Sequence, residues 1–142
     1  MKTRVMVVDD EVEFVDVLAE RLETRDFAVY KAYSGDEALK ELEKHKVDVV
    51  ILDVVMPGKS GLETLHEIKH KQPLVEVIML TGHATVETAI EGMKLGAYDY
   101  LMKPTETPDL VQKINGAVAR KREHEERIRK AEIDGIIKRR GW

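Results

Sequence analysis

The chain has 142 residues, 43% of them apolar and 35% charged, enough for one domain with its own core and too few for two. That composition belongs to a globular, very soluble chain, and the absence of cysteine excludes a disulfide scaffold, a thiol nucleophile, an iron–sulfur cluster and a cysteine zinc site. The net charge of −4 is unevenly spread: residues 119–142 carry nine Lys/Arg against five Asp/Glu, or +4, which leaves −8 on residues 1–118. An acidic body does not bind nucleic acid by bulk charge, because phosphate affinity comes from Lys and Arg. No apolar stretch approaches the roughly 18 residues of a membrane span. The opening MKTRVMVVDDE reaches acidic residues too early for a secretory signal. The expectation is a cytoplasmic protein with no membrane contact and no direct nucleic-acid binding by this chain.

Strand-like and helix-period segments alternate along the body. RVMVVDD from Arg4 reads as a strand, followed by Phe14, Leu18 and Leu22 at helical spacing. FAVYKAY from Phe27 is the second strand, with Ala38 and Leu42 on the helix behind it. VDVVILDVV from Val47 is the third, followed by Leu62, Leu65 and Ile68. VEVIMLT from Val75 is the fourth, followed by Val86, Ile90 and Met93. AYDYLMK from Ala97 is the fifth, and a last helix begins with Leu110, Ile114 and Val118. All but the fifth strand lack polar/apolar alternation, as expected for parallel strands buried on both faces.

Helix start signals agree with this division. Ser34 to Glu37 and Ser60 to Glu63 read as capping boxes, and Thr107 before Pro108 reads as an N-cap with proline at the first helical position. Gly96 is a stop for the fourth helix. Five strand–helix repeats with right-handed crossovers predict an α/β fold, a doubly wound five-stranded parallel sheet with helices on both faces.

Past Val118 the periodicity fails. RKREHEER, Arg120 to Arg127, has no apolar residue, so no face of it is expected to pack on a core. Its composition still favours helix, and Glu123 with Arg127 is a favourable i, i+4 pair. Ile128, Ile133, Ile136 and Ile137 follow, interrupted by Gly135. The division expected is a domain over 1–118 and a charged helical extension or linker over 119–142, with a helix that pairs with a partner or its own copy as the alternative.

Chemistry concentrates where parallel strands end, because all of them deliver their C-terminal ends to one edge and ligands bind in the crevice there. The first strand ends in Asp9 and Asp10, the third in Asp53, the fourth in Thr81 and the fifth in Lys103. Singly, each is an ordinary turn, cap or surface residue, and Asp10 with Glu13 could be only a helix cap. Jointly, three carboxylates need either a raised pKa or a cation among them. An all-oxygen donor set favours Mg²⁺, or Mn²⁺, over zinc. A divalent ion beside a lysine suits a phosphoryl group, and a carboxylate there can itself be the nucleophile. Asp53, on the central strand, fits that role best.

These residues carry a resemblance. VVDDE at Val7 to Glu11, DVVMPGKSG from Asp53 to Gly61, Thr81–Gly82 and GAYDYLMKP from Gly96 to Pro104 resemble, in order and spacing, the receiver domain of bacterial two-component response regulators. The resemblance covers about the first 120 residues. It implies a flavodoxin-like fold of receiver type, with Asp53 as phosphoacceptor and a sensor histidine kinase or phosphotransfer protein as donor. Asp10 would bind Mg²⁺ directly and Asp9 largely through water, with Asp53 and the backbone carbonyl of Val55 completing the set. Lys103 and Thr81 would meet the phosphoryl oxygens, Gly82 would leave room for them, and Tyr100 matches the switch aromatic that turns inward. The Lys103–Pro104 peptide is expected to be cis. The face of the fourth helix, fifth strand and fifth helix, including Tyr98, Tyr100 and Met102, would be the output and homodimer surface; the C-terminal helix is the other dimer candidate.

The implied role is a signalling phosphoacceptor that assists its own Mg²⁺-dependent phosphorylation and dephosphorylation, not a metabolic enzyme. A receiver-like module that binds without phosphorylation is one alternative. A phosphohydrolase is another, but it would want a second acid two positions after the nucleophile, where Val55 stands. Neither Val55 nor His83 is a carboxylate or amide suited to orienting an attacking water, so slow self-dephosphorylation is expected, with His83 overhanging the site. His66 and His70, i and i+4 on a helix, read as a solvated face. The YDYLMKP stretch looks like receivers that precede ATPase or transcription domains, and the tail like their linker.

Overall fold

The structure, a computed structural model, describes residues 1–141, so the last residue of the 119–142 segment lies outside them. Strands β1 (Arg4–Val8), β2 (Ala28–Ala32), β3 (Val49–Leu52), β4 (Glu76–Thr81) and β5 (Asp99–Met102) alternate with helices α1 (Val12–Glu23), α2 (Gly35–Lys44), α3 (Gly61–Lys71), α4 (Val86–Lys94) and α5 (Thr107–Arg140). All neighbouring strands are parallel, in the order β2-β1-β3-β4-β5. The chain steps outward from β1 to β2 and then returns to place β3 on the other side of β1. That reversal opens a crevice at the C-terminal ends of β1 and β3.

Unalternating Val/Ile/Leu/Met runs make the three inner strands because both sheet faces are covered. Val5, Val7, Val49, Ile51, Ile78 and Leu80 pack with Leu18 and Leu22 of α1 and with Leu110 and Ile114 of α5. Met6, Val8, Val50, Leu52, Val77 and Met79 point the other way, toward Leu42 of α2 and toward Leu65 and Ile68 of α3. Each such side chain stabilises the fold by about 1.5–3 kcal/mol relative to exposure. The apolar stripe that marks α4 behaves differently. Val86 (73% exposed), Ile90 and Met93 face water, although α4 packs on the edge strand β5 and on α3.

Caps are formed at some of the expected places and not at others. Ser60 and Glu63 make the full reciprocal box, whereas at Ser34 only the Glu37 N–H to Ser34 half forms. A second full box, Thr85 with Thr88, lacks the usual sequence signature because threonine and not Glu or Gln stands at its third position. Thr107 is not a cap: α5 begins with it, and Glu106 is the N-cap without a side-chain hydrogen bond. Proline did not discriminate, since none of the first helical N–H groups has an intrahelical partner and Pro fits the second position as well as the first. Asp10 caps nothing either; the N-cap of α1 is Glu11, with no side-chain bond.

Helix α5 runs 34 residues without a break at 118/119, about 50 Å at the usual rise. Contrary to the apolar pattern, the first residues of RKREHEER do pack. Arg120 pairs with Glu76 at the start of β4 (Nη2 to Oε1 2.9 Å) and its guanidinium lies 4.8 Å from the Tyr98 ring. Lys121 reaches Asp48 at 3.2 Å, the carboxylate that also accepts the Arg4 N–H at 2.8 Å. Ion pairing with carboxylates at the N-terminal sheet edge, invisible to hydrophobic patterning, is the reason. Burial pushes both carboxyls up. Hydrogen bonds from Arg4 and Lys121 outweigh it at Asp48, and those of Arg120 with the nearby Lys69 outweigh it at Glu76, so both stay below the usual carboxylate range.

Candidate functional site

β1 and β3 end in register, with Val8 opposite Leu52. The Asp53 N–H donates to the Val8 carbonyl at 3.1 Å and the Asp9 N–H to Ala32 at 3.2 Å, so the ladder continues one residue past each strand. Asp9 and Asp53 are thereby buried side by side, 1% and 2% exposed, while Asp10 stays open to solvent. One carboxylate oxygen from each of the three lies within 4.8 Å of the others. Among the described residues this is the only group of three or more His, Cys, Asp or Glu close enough to share an ion. His66 and His70, stacked at 6.5 Å on α3, belong to no such group.

The same edge supplies one cation. The backbone N–H of Lys103 donates to the Thr81 carbonyl at 2.8 Å, and its ammonium reaches across to Asp9 Oδ2 at 2.6 Å, Glu11 Oε1 at 3.5 Å and Asp53 Oδ2 at 3.9 Å. The ring of Phe14 on α1 lies 4.0 Å from the ammonium. Burial pulls the Lys103 pKa down, but the hydrogen bond and charge of Asp9, with Asp53 and Glu11, carry it above its ordinary value, so the group stays charged. Burial pushes the Asp9 carboxyl up. The Lys103 and Glu11 hydrogen bonds oppose this, the Asp53 charge adds to it, and the net direction is upward. One ammonium does not compensate three carboxylates. With oxygen donors alone, the cluster fits a hard divalent cation such as Mg²⁺ or Mn²⁺.

Hydrogen bonds orient what remains. Asp53 Oδ1 accepts the Val54 N–H at 2.8 Å, leaving Oδ2 on the Lys103 side. Thr81 is fully buried at the end of β4, and its hydroxyl accepts the His83 N–H at 3.1 Å, so its own proton remains to donate. The Val55 side chain faces solvent beside the turn at Gly58, whose φ is +77°. Tyr100 lies apart, its hydroxyl 2.7 Å from Thr88 Oγ1 on α4. The Lys103–Pro104 peptide is cis. Strand-end reading thus brings Asp9, Asp10, Asp53 and Lys103 into one cluster. It missed Glu11 and Phe14, although Phe14, one helical turn after Asp10, carried a positional signal.

With this geometry in hand, the relatives of the chain can be placed. The profile of the family described as "Response regulator receiver domain" matches residues 5–115. The Transcriptional regulatory protein ZraR of Salmonella typhimurium is 38% identical over 122 residues, which are 86% of this chain and 28% of that protein. The Regulatory protein VanR of Enterococcus faecium is 36% identical over 122 residues, 84% of this chain and 52% of that protein. The chain therefore spans between about a quarter and a half of these curated relatives. A response regulator receiver domain from Clostridium thermocellum superposes with a TM-score of 0.80 at 39% identity, covering 84% of this chain and 97% of that one. NtrX from Brucella abortus, crystallised with ADP, gives 0.83 at 32% identity, covering 89% of this chain and 29% of that one.

Proposed function

The chain belongs to the response regulator receiver domain family, the signalling input of two-component systems, and from that premise we propose that Asp53 is its phosphoacceptor. The observation that carries the proposal is the meeting of Asp53 with Asp9, Asp10 and Lys103 at the switch crevice. A phosphohistidine on a sensor kinase or phosphotransfer protein is the natural donor. An Asp53 oxygen attacks phosphorus in line, the P–N bond breaks, and its electron pair leaves on the imidazole. The N–H of Val54 fixes the Asp53 carboxylate by one oxygen, which orients the other for attack.

Asp10, Asp9, Asp53 and the Val55 carbonyl would hold Mg²⁺ or Mn²⁺. When bound, the ion offsets the clustered charge and polarises phosphoryl oxygens. Lys103 neutralises charge on the transferring group, and the Thr81 hydroxyl donates to one of its oxygens. The product adds roughly −1.5 to −2 of charge and three strong acceptors. An arrangement that brings Thr81 and Lys103 onto them is favoured by differential contact. Tyr100 then leaves Thr88, which alters the surface of α4 and β5.

On that surface Val86, Ile90, Met93 and Met102 are exposed, a set suited to an output domain or a second receiver. Residues 119–142 would serve as the linker from the 1–118 receiver, or as a pairing helix. Among the described residues no helix is long and apolar enough to cross a membrane. A cytoplasmic location fits the kinase donor.

Intact mass after incubation with acetyl phosphate and Mg²⁺ tests this reading, with Asp53→Ala beside it and sizing before and after. One added phosphoryl group, lost in the variant, is expected. An unmodified wild type, or a variant modified to the same extent, overturns it.

A further inference from the structure

We propose that Phe14 is a positioning residue for Lys103, its ring face holding the ammonium over the acidic crevice; the proposal rests on Asp53 being the phosphoacceptor. Lysine carries its charge on a flexible four-carbon stem, so something must restrict where that charge rests. Four contacts do so here: Asp9 at 2.6 Å, Glu11 at 3.5 Å, Asp53 at 3.9 Å and the Phe14 centroid at 4.0 Å.

These contacts do not serve the reaction equally. Asp9 and Asp53 also belong to the candidate cation site, so a dication held there would weaken their pull on the ammonium and repel it. Glu11 is 64% exposed and draws the ammonium outward. Phe14 is the neutral contact of the four. Its attraction comes from the ring quadrupole and does not depend on what the carboxylates hold. The ring is oriented independently of the lysine, because Phe14 packs against the buried cluster shared by α1 and α5. A π face also takes no proton and yields readily to a better acceptor. It therefore keeps Lys103 over the crevice and leaves it available to incoming phosphoryl oxygens.

The test compares wild type with Phe14→Leu, which keeps apolar bulk without the π face, and with Phe14→Tyr, which keeps both. In protein free of metal and donor, the Lys103 ε-methylene protons should be shifted upfield by the ring in wild type and Phe14→Tyr, and not in Phe14→Leu. With acetyl phosphate and Mg²⁺, Phe14→Leu should modify Asp53 about three- to tenfold more slowly, within the range a partly desolvated cation–π contact allows. Phe14→Tyr should stay within about twofold of wild type, and the Mg²⁺ midpoint should be the same in all three. Absence of the upfield shift in wild type, Phe14→Leu as fast as wild type, or Phe14→Tyr as slow as Phe14→Leu overturns the role of Phe14 alone. A wild type left unmodified overturns the phosphoacceptor reading as well.

Discussion

A β-carbon built on Gly61 would lie 1.9 Å from the Asp53 carbonyl oxygen and 2.7 Å from Val54 Cα. The Gly61 N–H meanwhile donates to the Val54 carbonyl at 2.8 Å, drawing the first turn of α3 against the backbone that carries Asp53. Gly61→Ala must displace one of the two, and overpacking of this kind costs about 1–3 kcal/mol. Because the clash is with Asp53's own carbonyl oxygen, phosphorylation of this variant should slow even where urea denaturation shows it fully folded. Gly135→Ala is the contrast. With nothing within 4 Å of its β-carbon, it should be neutral or stabilise α5 by up to about 1 kcal/mol. Asp9, Asp10, Asp53, Thr81 and Lys103 could be placed from sequence because a parallel sheet sends every strand end to one edge. The closeness of Gly61 to Asp53 and of Phe14 to Lys103 depends on how a helix is seated and rotated, which periodicity does not specify.

Among the elements, α5 joins the two ends of the molecule. Its first turns pack with α1 beneath the site, and Arg120 and Lys121 clasp Glu76 and Asp48 at the opposite sheet edge. Glu76 is 1% exposed, so Arg120 is among the few groups that can compensate it, together with Lys69 at 3.2 Å. Arg120→Met should cost roughly 1.5–3 kcal/mol at neutral pH, the usual range for a hydrogen bond to a charged group. Arg122→Ala, on the solvent side of the same turn, should change stability by no more than about 0.5 kcal/mol. The pH dependence has a definite sign. Glu76 is held below its ordinary value of 4.5 when folded, so its contribution is present above that pH and is lost as pH falls through the lower folded value. The gap between wild type and Arg120→Met, read from urea midpoints, should therefore be widest at neutral pH and narrow as pH falls toward the lowered folded value of Glu76. Apolar spacing locates the helices, but it leaves open whether α4's stripe is covered and assigns no packing past Val118, where Arg120 and Lys121 pair with Glu76 and Asp48. Apolar spacing finds a helix without saying which neighbours cover it.

For the molecule as a whole, the switch crevice concentrates negative charge within a body that already carries −8 over residues 1–118. Asp9, Asp10 and Asp53 share about 5 Å of space with one ammonium, a placement that suits the proposed ion and phosphoryl binding and works against folding. Asp10 is the exposed member, so exchanging it for asparagine removes a like charge without opening a cavity in the core. In EDTA, Asp10→Asn should therefore melt at a higher temperature than wild type. Saturating Mg²⁺ should reverse the order. Wild type gains stability by mass action from an ion that binds the folded state, and the variant, with one charged ligand fewer, gains much less. Calorimetric scans in both buffers check the two halves together. If Asp10→Asn melts below wild type in EDTA, the three carboxylates are not in conflict in the apo protein. If Mg²⁺ raises both melting temperatures equally, Asp10 is not a ligand. Only the crossed result supports a fold that gives up stability at one sheet edge and recovers it when the ion binds.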